Sequence, residues 1–224
     1  MVLCTQMIDF LAGDEAPLAA EDQQILRNSI TELCGSKLSA DSLKAGDPAP
    51  DFTLTNIDGN EIRLTDLTRK GSLIIIFFRG FWCKYSYTTL KTLEAINESI
   101  VAKGASIVAI SPQLHLSDAD MQRRNLISFS TLSDTRSRVA LQFQVSWRLP
   151  HALKKTYKTL GADLDTLNGK DSDTLPLASL FIIDKQGIIV YSDVNANYVQ
   201  PINEDEIFLV LDNMPPLRKS RAMD

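Results

Sequence analysis

The residues best equipped for chemistry in this chain are Cys83 and the segment that leads into it, Arg79-Gly80-Phe81-Trp82. A thiolate is a strong nucleophile, and an arginine close by can stabilise either the thiolate or an anionic leaving group. Arg79 can equally anchor the backbone or pair with an acid. Trp82 and Phe81 can wall a small apolar pocket or pack against a sheet. Ser86, the third residue after the cysteine, has a hydroxyl, which cannot form a disulfide. The chemistry open to this set is attack by sulfur on an electrophile.

The flanking elements must place that sulfur. Residues 73–78, Leu-Ile-Ile-Ile-Phe-Phe, show no polar alternation, which predicts a central strand buried on both faces and broken by Gly80. After Cys83, apolar residues recur at Leu90, Leu93, Ile96 and Ile100, with Lys91, Glu94, Asn97 and Glu98 on other faces, which predicts an amphipathic helix. Cys83 then falls at a strand-to-helix junction, where free N–H groups and the helix dipole favour negative charge.

The rest of the chain excludes several functions. At 224 residues, 44% hydrophobic and 23% charged, it fits one large domain, or one domain with an appendage. A net charge of −5 argues against a nucleic-acid partner. The basic cluster Arg218-Lys219-Ser220-Arg221 reads as a solvated tail. Three widely spaced cysteines, Cys4, Cys34 and Cys83, suggest a reducing, cytoplasmic setting, not a disulfide framework. His115 and His151 lack metal-ligand spacing to any cysteine, so neither a metal nor a cofactor is expected. The first 20 residues have neither a basic region nor a sustained apolar stretch, so neither a secretory signal nor a membrane association is expected.

In chain order, residues 21–38 predict a helix with Leu26, Ile30, Leu33 and Cys34 on one face, Cys34 being a buried packing residue or else a partner thiol for Cys83. Residues 52–64 predict a hairpin about Asp58-Gly59, then a short helical turn through Arg69 capped by Thr65. Lys103-Gly104 stops the long helix and residues 105–110 predict a second buried strand. Helices follow at 117–126, capped by Ser117, and at about 136–143 after Ser133-Asp134. Residues 151–160 predict another helix closed by Gly161, with a polar loop through Asn168-Gly169. A hairpin about residues 184–187 and a last helix at 203–211 complete the chain.

The motif Arg79-Gly80-Phe81-Trp82-Cys83-Lys84-Tyr85 after an apolar strand resembles the active-site loop of the peroxiredoxin-like branch of the thioredoxin-fold superfamily, which is grouped with alkyl hydroperoxide reductase and thiol-specific antioxidant proteins. Gly46-Asp47-Pro48-Ala49-Pro50-Asp51-Phe52-Thr53-Leu54, Ile110-Ser111-Pro112-Gln113 and Phe181-Ile182-Ile183-Asp184-Lys185-Gln186-Gly187 match in order, over roughly residues 44–212. The resemblance implies an α/β thioredoxin-like fold with a peroxiredoxin-type N-terminal β-hairpin and an extra N-terminal helix. The domain reading is a helical extension at 1–43, the thioredoxin-like domain at 44–214 and a tail at 215–224. For function the resemblance implies a thiol peroxidase that reduces a hydroperoxide through Cys83 and is recycled by an external thiol such as thioredoxin or glutathione, with a homodimer left open.

The sequence also departs from its relatives. Many have a second cysteine where this chain has Ser86, Ile76 and Gly80 occupy the positions of the usual peroxiredoxin proline and hydroxyl, and Ala178 stands where an arginine or proline is common. Two other readings therefore stand beside the peroxidase: a monothiol thioredoxin-like protein that forms mixed disulfides, and a non-catalytic binding protein.

Overall fold

The computed structural model describes residues 19–114, 118–198 and 200–214. Helix α1 (Ala20–Gly35) buries Leu26, Ile30 and Leu33 and leaves Cys34 exposed. Cys34 is thus not the packing residue expected. The buried face turns through Leu26, Ile30 and Leu33, and residue 34 has rotated past it. The helix is also shorter than predicted: it stops at Gly35, and Leu38–Asp41 (α2) forms a separate turn.

Strands β1 (Thr53–Asn56) and β2 (Glu61–Arg63) make the expected hairpin, in register Leu54↔Ile62. Its turn is fastened by Asn56 Oδ1, which accepts from the N–H groups of Asp58 and Asn60 at 3.0 and 2.8 Å. Helix α3 (Leu64–Thr68) follows with Arg63, not Thr65, at its N-cap and no side-chain cap. Burial of Leu64 against the core sets that start two residues earlier than the polar signal suggested.

Strand β3 (Ser72–Phe77) is the buried centre, and its lack of alternation has a direct cause. Leu73, Ile75 and Phe77 enter one core cluster and Ile74, Ile76 and Phe78 the other, one on each face of the sheet. Helix α4 (Lys84–Ala102) packs Leu90, Leu93 and Ile100 into the second cluster, and β4 (Ala105–Ser111) returns parallel to β3. Helix α5 (Asp118–Arg124) and β5 (Ser130–Ser133) come next. Ser117, its expected cap, lies outside the described residues, as do Cys4, His115 and the basic cluster at 218–221.

β5 was not foreseen: Ser130, Thr131 and Ser133 are polar in a four-residue strand, yet it lies between β4 and the β1–β2 hairpin and links them. After it, Asp134 Oδ1 and Oδ2 accept from the N–H groups of Val139 and Ala140 at 3.0 and 2.9 Å. To let the carboxylate reach that far ahead, Arg136 and Ser137 take φ of 61° and 51°, and α6 (Arg138–Gln142) starts two residues later than expected. The short pair β6 (Ser146–Arg148) and β7 (Thr174–Pro176) brackets α7 (His151–Thr159) and α8 (Leu164–Leu167), and sequence reading missed it. Finally β8 (Ala178–Ile183) and β9 (Ile189–Asn195) form the second hairpin, and α9 (Glu204–Asn213) closes over the helical-face core.

The main sheet runs β2-β1-β5-β4-β3-β8-β9, with β3, β4 and β5 parallel and the outer pairs antiparallel. It is the expected thioredoxin-like arrangement, with the added hairpin at one edge. Phe77, Phe143 and Phe181 interlock at centroid distances of 5.1, 6.1 and 5.1 Å in the core under β3. A third cluster joins α1 to α7 through Leu26, Leu149, Leu153, Tyr157 and Leu164. There Thr156 Oγ1 donates to Asp22 Oδ1 at 2.8 Å.

Candidate active site

The loop between β3 and α4 carries the chemistry. Cys83 is the N-cap of α4 and only 5% exposed; its N–H donates to Gly80 O at 3.1 Å, and its carbonyl accepts from Tyr87 N–H at 2.9 Å. The loop takes this path because Gly80 has φ +138°, which L-residues rarely adopt. A Cβ at that position would lie 2.6 Å from Trp82 Cδ1 and 2.7 Å from Gln113 Oε1.

Three groups hold the loop from outside. Gln113 Oε1 accepts from Phe81 N–H at 2.8 Å, and Gln113 Nε2 donates to Asp120 Oδ2 at 2.9 Å. Arg123 Nη1 donates to Phe81 O at 2.9 Å and pairs with Asp120 at 3.5 Å. Phe81 is thus clamped through both backbone groups by residues after β4 and on α5. Its ring packs edge-on to Phe78 at 5.3 Å in the helical-face core, so it does not wall a pocket with Trp82. From the first turn of α4, Ser86 Oγ accepts from Arg79 N–H at 3.2 Å. Ser86 also lines a cavity of about 20 Å³ with Thr89, Asp193, Asn195 and Tyr198.

Arg79 is the unusual member. Its side chain is only 3% exposed, and among the described residues no carboxylate pairs with it. Instead three aromatic faces surround the guanidinium, Trp82 at 5.1 Å, Tyr157 at 4.9 Å and Tyr198 at 4.2 Å from Cζ. Nη2 donates to the Tyr157 hydroxyl, Tyr198 meets the guanidinium through its ring face, and Nε has no partner among the described residues. Burial by itself would lower the guanidinium pKa; electrostatic interactions with Tyr157, Cys83 and Tyr198 outweigh it and raise the value, so the group stays cationic. Burial foremost, then the charges of Tyr198 and Cys83, raises the Tyr85 hydroxyl against the opposing pull of Arg79. Burial likewise keeps Tyr157 neutral well above the usual tyrosine range, again against Arg79. The site is therefore a thiol beside a buried cation, with the neutral phenols of Tyr85 and Tyr157 near them.

All five residues singled out from the sequence, Arg79, Gly80, Trp82, Cys83 and Ser86, meet where this loop enters α4, which their adjacency in the chain made easy to foresee. Gln113, Asp120, Arg123, Tyr157 and Tyr198 were not foreseen. Only Gln113 had a signal, as part of a matched motif, and Tyr157 lies on the Leu153-Thr156-Tyr157 buried stripe of α7 with nothing local to mark it. No group of acidic, histidine or cysteine side chains among the described residues could hold a metal ion.

A thiol at the start of the helix that follows a central parallel strand, within a sheet closed by an antiparallel hairpin, defines a thioredoxin-fold thiol protein. The AhpC/TSA family model matches residues 45–192, and the chain belongs to that family. It is 25% identical to thiol-disulfide oxidoreductase ResA of Bacillus anthracis over 150 residues, 67% of this chain and 69% of ResA. Against peroxiredoxin Bcp of Escherichia coli (strain K12) it is 29% identical over 120 residues, 51% of this chain and 72% of Bcp. The crystal structure of peroxidoxin BcpB from Mycobacterium tuberculosis superposes with a TM-score of 0.58 at 20% identity, covering 77% of this chain and 99% of that one. No described helix is long and apolar enough to cross a membrane.

Proposed function

We propose that this protein is a thiol-dependent peroxidase in which Cys83 reduces a hydroperoxide. The observation that carries the proposal is the buried Arg79 guanidinium with no carboxylate against it among the described residues: the anions these residues can offer it are the Cys83 thiolate and, during reaction, the departing oxygen. The thiolate sulfur attacks the terminal peroxide oxygen, the S–O bond forms as the O–O bond breaks, and the alkoxide or hydroxide leaves and takes a proton. Cys83 becomes a sulfenic acid. An external thiol then condenses with it, releasing water and leaving a mixed disulfide, which a second thiol reduces. Thioredoxin or glutathione in the cytoplasm would fill that role.

An external reductant fits the positions of the sulfurs. Cys83 is buried, Cys34 is exposed at the end of α1, no bond joins them, and Ser86 occupies the nearby helical position. Consumption of hydrogen peroxide or cumene hydroperoxide with dithiothreitol tests the reading: turnover is expected for the wild type and none for Cys83→Ser. Absence of turnover in both sinks it.

A second reading, thiol–disulfide exchange with protein partners, is favoured by the ResA relatives. Its mark would be proteins covalently trapped on Cys83 in the absence of peroxide.

A further inference from the structure

We propose that Tyr157 is a positioning residue for the reaction at Cys83, its hydroxyl and ring fixing where the Arg79 guanidinium sits relative to the sulfur, with Tyr198 completing the hold. The inference rests on the reading of Cys83 as the attacking thiol and adds residues that the active-site loop does not contain.

The geometry sets what has to be explained. A long, flexible cation is buried to 3% exposure without a carboxylate partner among the described residues, and a guanidinium has five N–H donors to place. Burying such a charge is strongly unfavourable unless partners compensate and direct it. Backbone attachment cannot do so, because Arg79 reaches its neighbours through several rotatable bonds. Tyr157 supplies two constraints at once: its oxygen accepts from Nη2, and its ring lies 4.9 Å from Cζ. Tyr198 adds a closer face at 4.2 Å and interacts electrostatically with both Arg79 and Tyr157. The two phenols thus clasp one end of the guanidinium, and Nε stays unpartnered among the described residues. An unused donor on a buried cation beside a thiol is available to an incoming or leaving oxygen.

The surroundings fix Tyr157 in turn. It sits in the cluster of α1 and α7 with Leu26, Leu149, Leu153 and Leu164, and its ring meets Trp82 at 5.5 Å. Thr156, its neighbour, is hydrogen-bonded to Asp22 of α1. Helix α1 precedes the stretch matched by the family model, yet it buttresses the helix that aims the arginine. A phenol that stays neutral cannot compete with the thiolate for the cation, which suits an acceptor whose task is orientation.

The test is a double-mutant cycle on Cys83 reactivity, using full-length Tyr157→Phe, Arg79→Met and the pair, with Tyr198→Phe as a second probe. Two readouts are taken at pH 7: the rate of iodoacetamide labelling of the Cys83 peptide, and the rate of its oxidation by hydrogen peroxide. Tyr157→Phe keeps the ring and removes the hydroxyl, so labelling should slow about tenfold, the scale of a lost hydrogen bond to a charged group. In the Arg79→Met background the same change should have no further effect, since there is no guanidinium left to aim. Labelling at the wild-type rate in Tyr157→Phe overturns the inference. So does an equal loss in both backgrounds, which would mean that the hydroxyl acts through packing. Tyr198→Phe should show the same non-additivity, and additive behaviour there removes it from the clasp. Peroxide oxidation separates the two claims: a non-additive labelling cycle in a protein whose Cys83 resists peroxide supports the clasp and sinks the peroxidase, and oxidation with an additive cycle does the reverse.

Discussion

Substituting Gly80 by alanine puts the loop geometry to a quantitative test. Gly80 lies at φ +138°, a region essentially reserved for glycine, and forcing an L-residue into it costs about 1–3 kcal/mol. The added methyl also falls 2.6 Å from Trp82 Cδ1 and 2.7 Å from Gln113 Oε1, closer than side-chain carbons approach other atoms. Gln113 must then yield, and its hydrogen bond from Phe81 N–H, which contributes about 1 kcal/mol, goes with it. Stability should therefore fall by about 2–4 kcal/mol, the sum of the strain and the lost bond. Cys83 labelling by iodoacetamide should slow at least several-fold, because the residue before Trp82 no longer has its anchor. Gly161→Ala is the control: φ is +88° there too, but nothing lies within 4 Å of the added atom. It should cost only the backbone penalty of about 1–2 kcal/mol and leave Cys83 labelling unchanged. Urea unfolding and peptide mapping of both variants give the two numbers. Equal losses of stability for the two variants, with Cys83 reactivity intact in both, would refute the claim that Trp82 and Gln113 crowd Gly80.

Three further outcomes are expected. Ser86→Cys places a second thiol in the first turn of the helix that Cys83 caps, so oxidant should produce an internal disulfide, seen as a loss of two hydrogens by intact mass; the wild type should instead progress to sulfinic acid, and a Ser86→Cys protein that also does so counts against that geometry. Phe143→Ala opens the interlocked aromatic core and should cost about 3–5 kcal/mol in urea unfolding, a loss under 1 kcal/mol showing that the three rings are not mutually supporting. Burial raises the Asp193 carboxyl above its usual 3.8, so its protonation stabilises the fold fully below that pH, and this contribution is lost as pH rises through the folded value; Asp193→Asn should be more stable than wild type at pH 7, with a gap that closes toward pH 3.8, and a pH-independent gap would refute the assignment.

Local pattern was enough to locate the loop and the elements around it. A run of apolar residues without alternation has no stable place except between two covered faces, and Leu73 to Phe78 alternate between the two cores accordingly. Helical periodicity after Cys83, the Asp58-Gly59 turn and the closing of α4 at Lys103-Gly104 are all decided within a few residues, and each stands where the sequence placed it. The polar strand β5 and the short β6–β7 pair escaped because their hydrogen bonds are made to partners far along the chain, and four or three residues leave no periodicity to read. Cys34 escaped for a finer reason, a single step of about 100° around a helix whose buried face is narrow.

The same division runs through the site. Cys83, Arg79, Gly80, Trp82 and Ser86 are neighbours in the chain, so their types and spacing sufficed to group them. What surrounds Arg79 was decided by packing: Tyr157 arrives from 78 positions away on a helix held by α1, and Tyr198 from the turn after β9. A sequence records that an arginine precedes a cysteine, but not whether that arginine meets water, an acid or a cage of rings. Only when the sheet and helices close is water excluded, and it is exclusion from water that turns an ordinary loop arginine into a fixed charge beside a thiol.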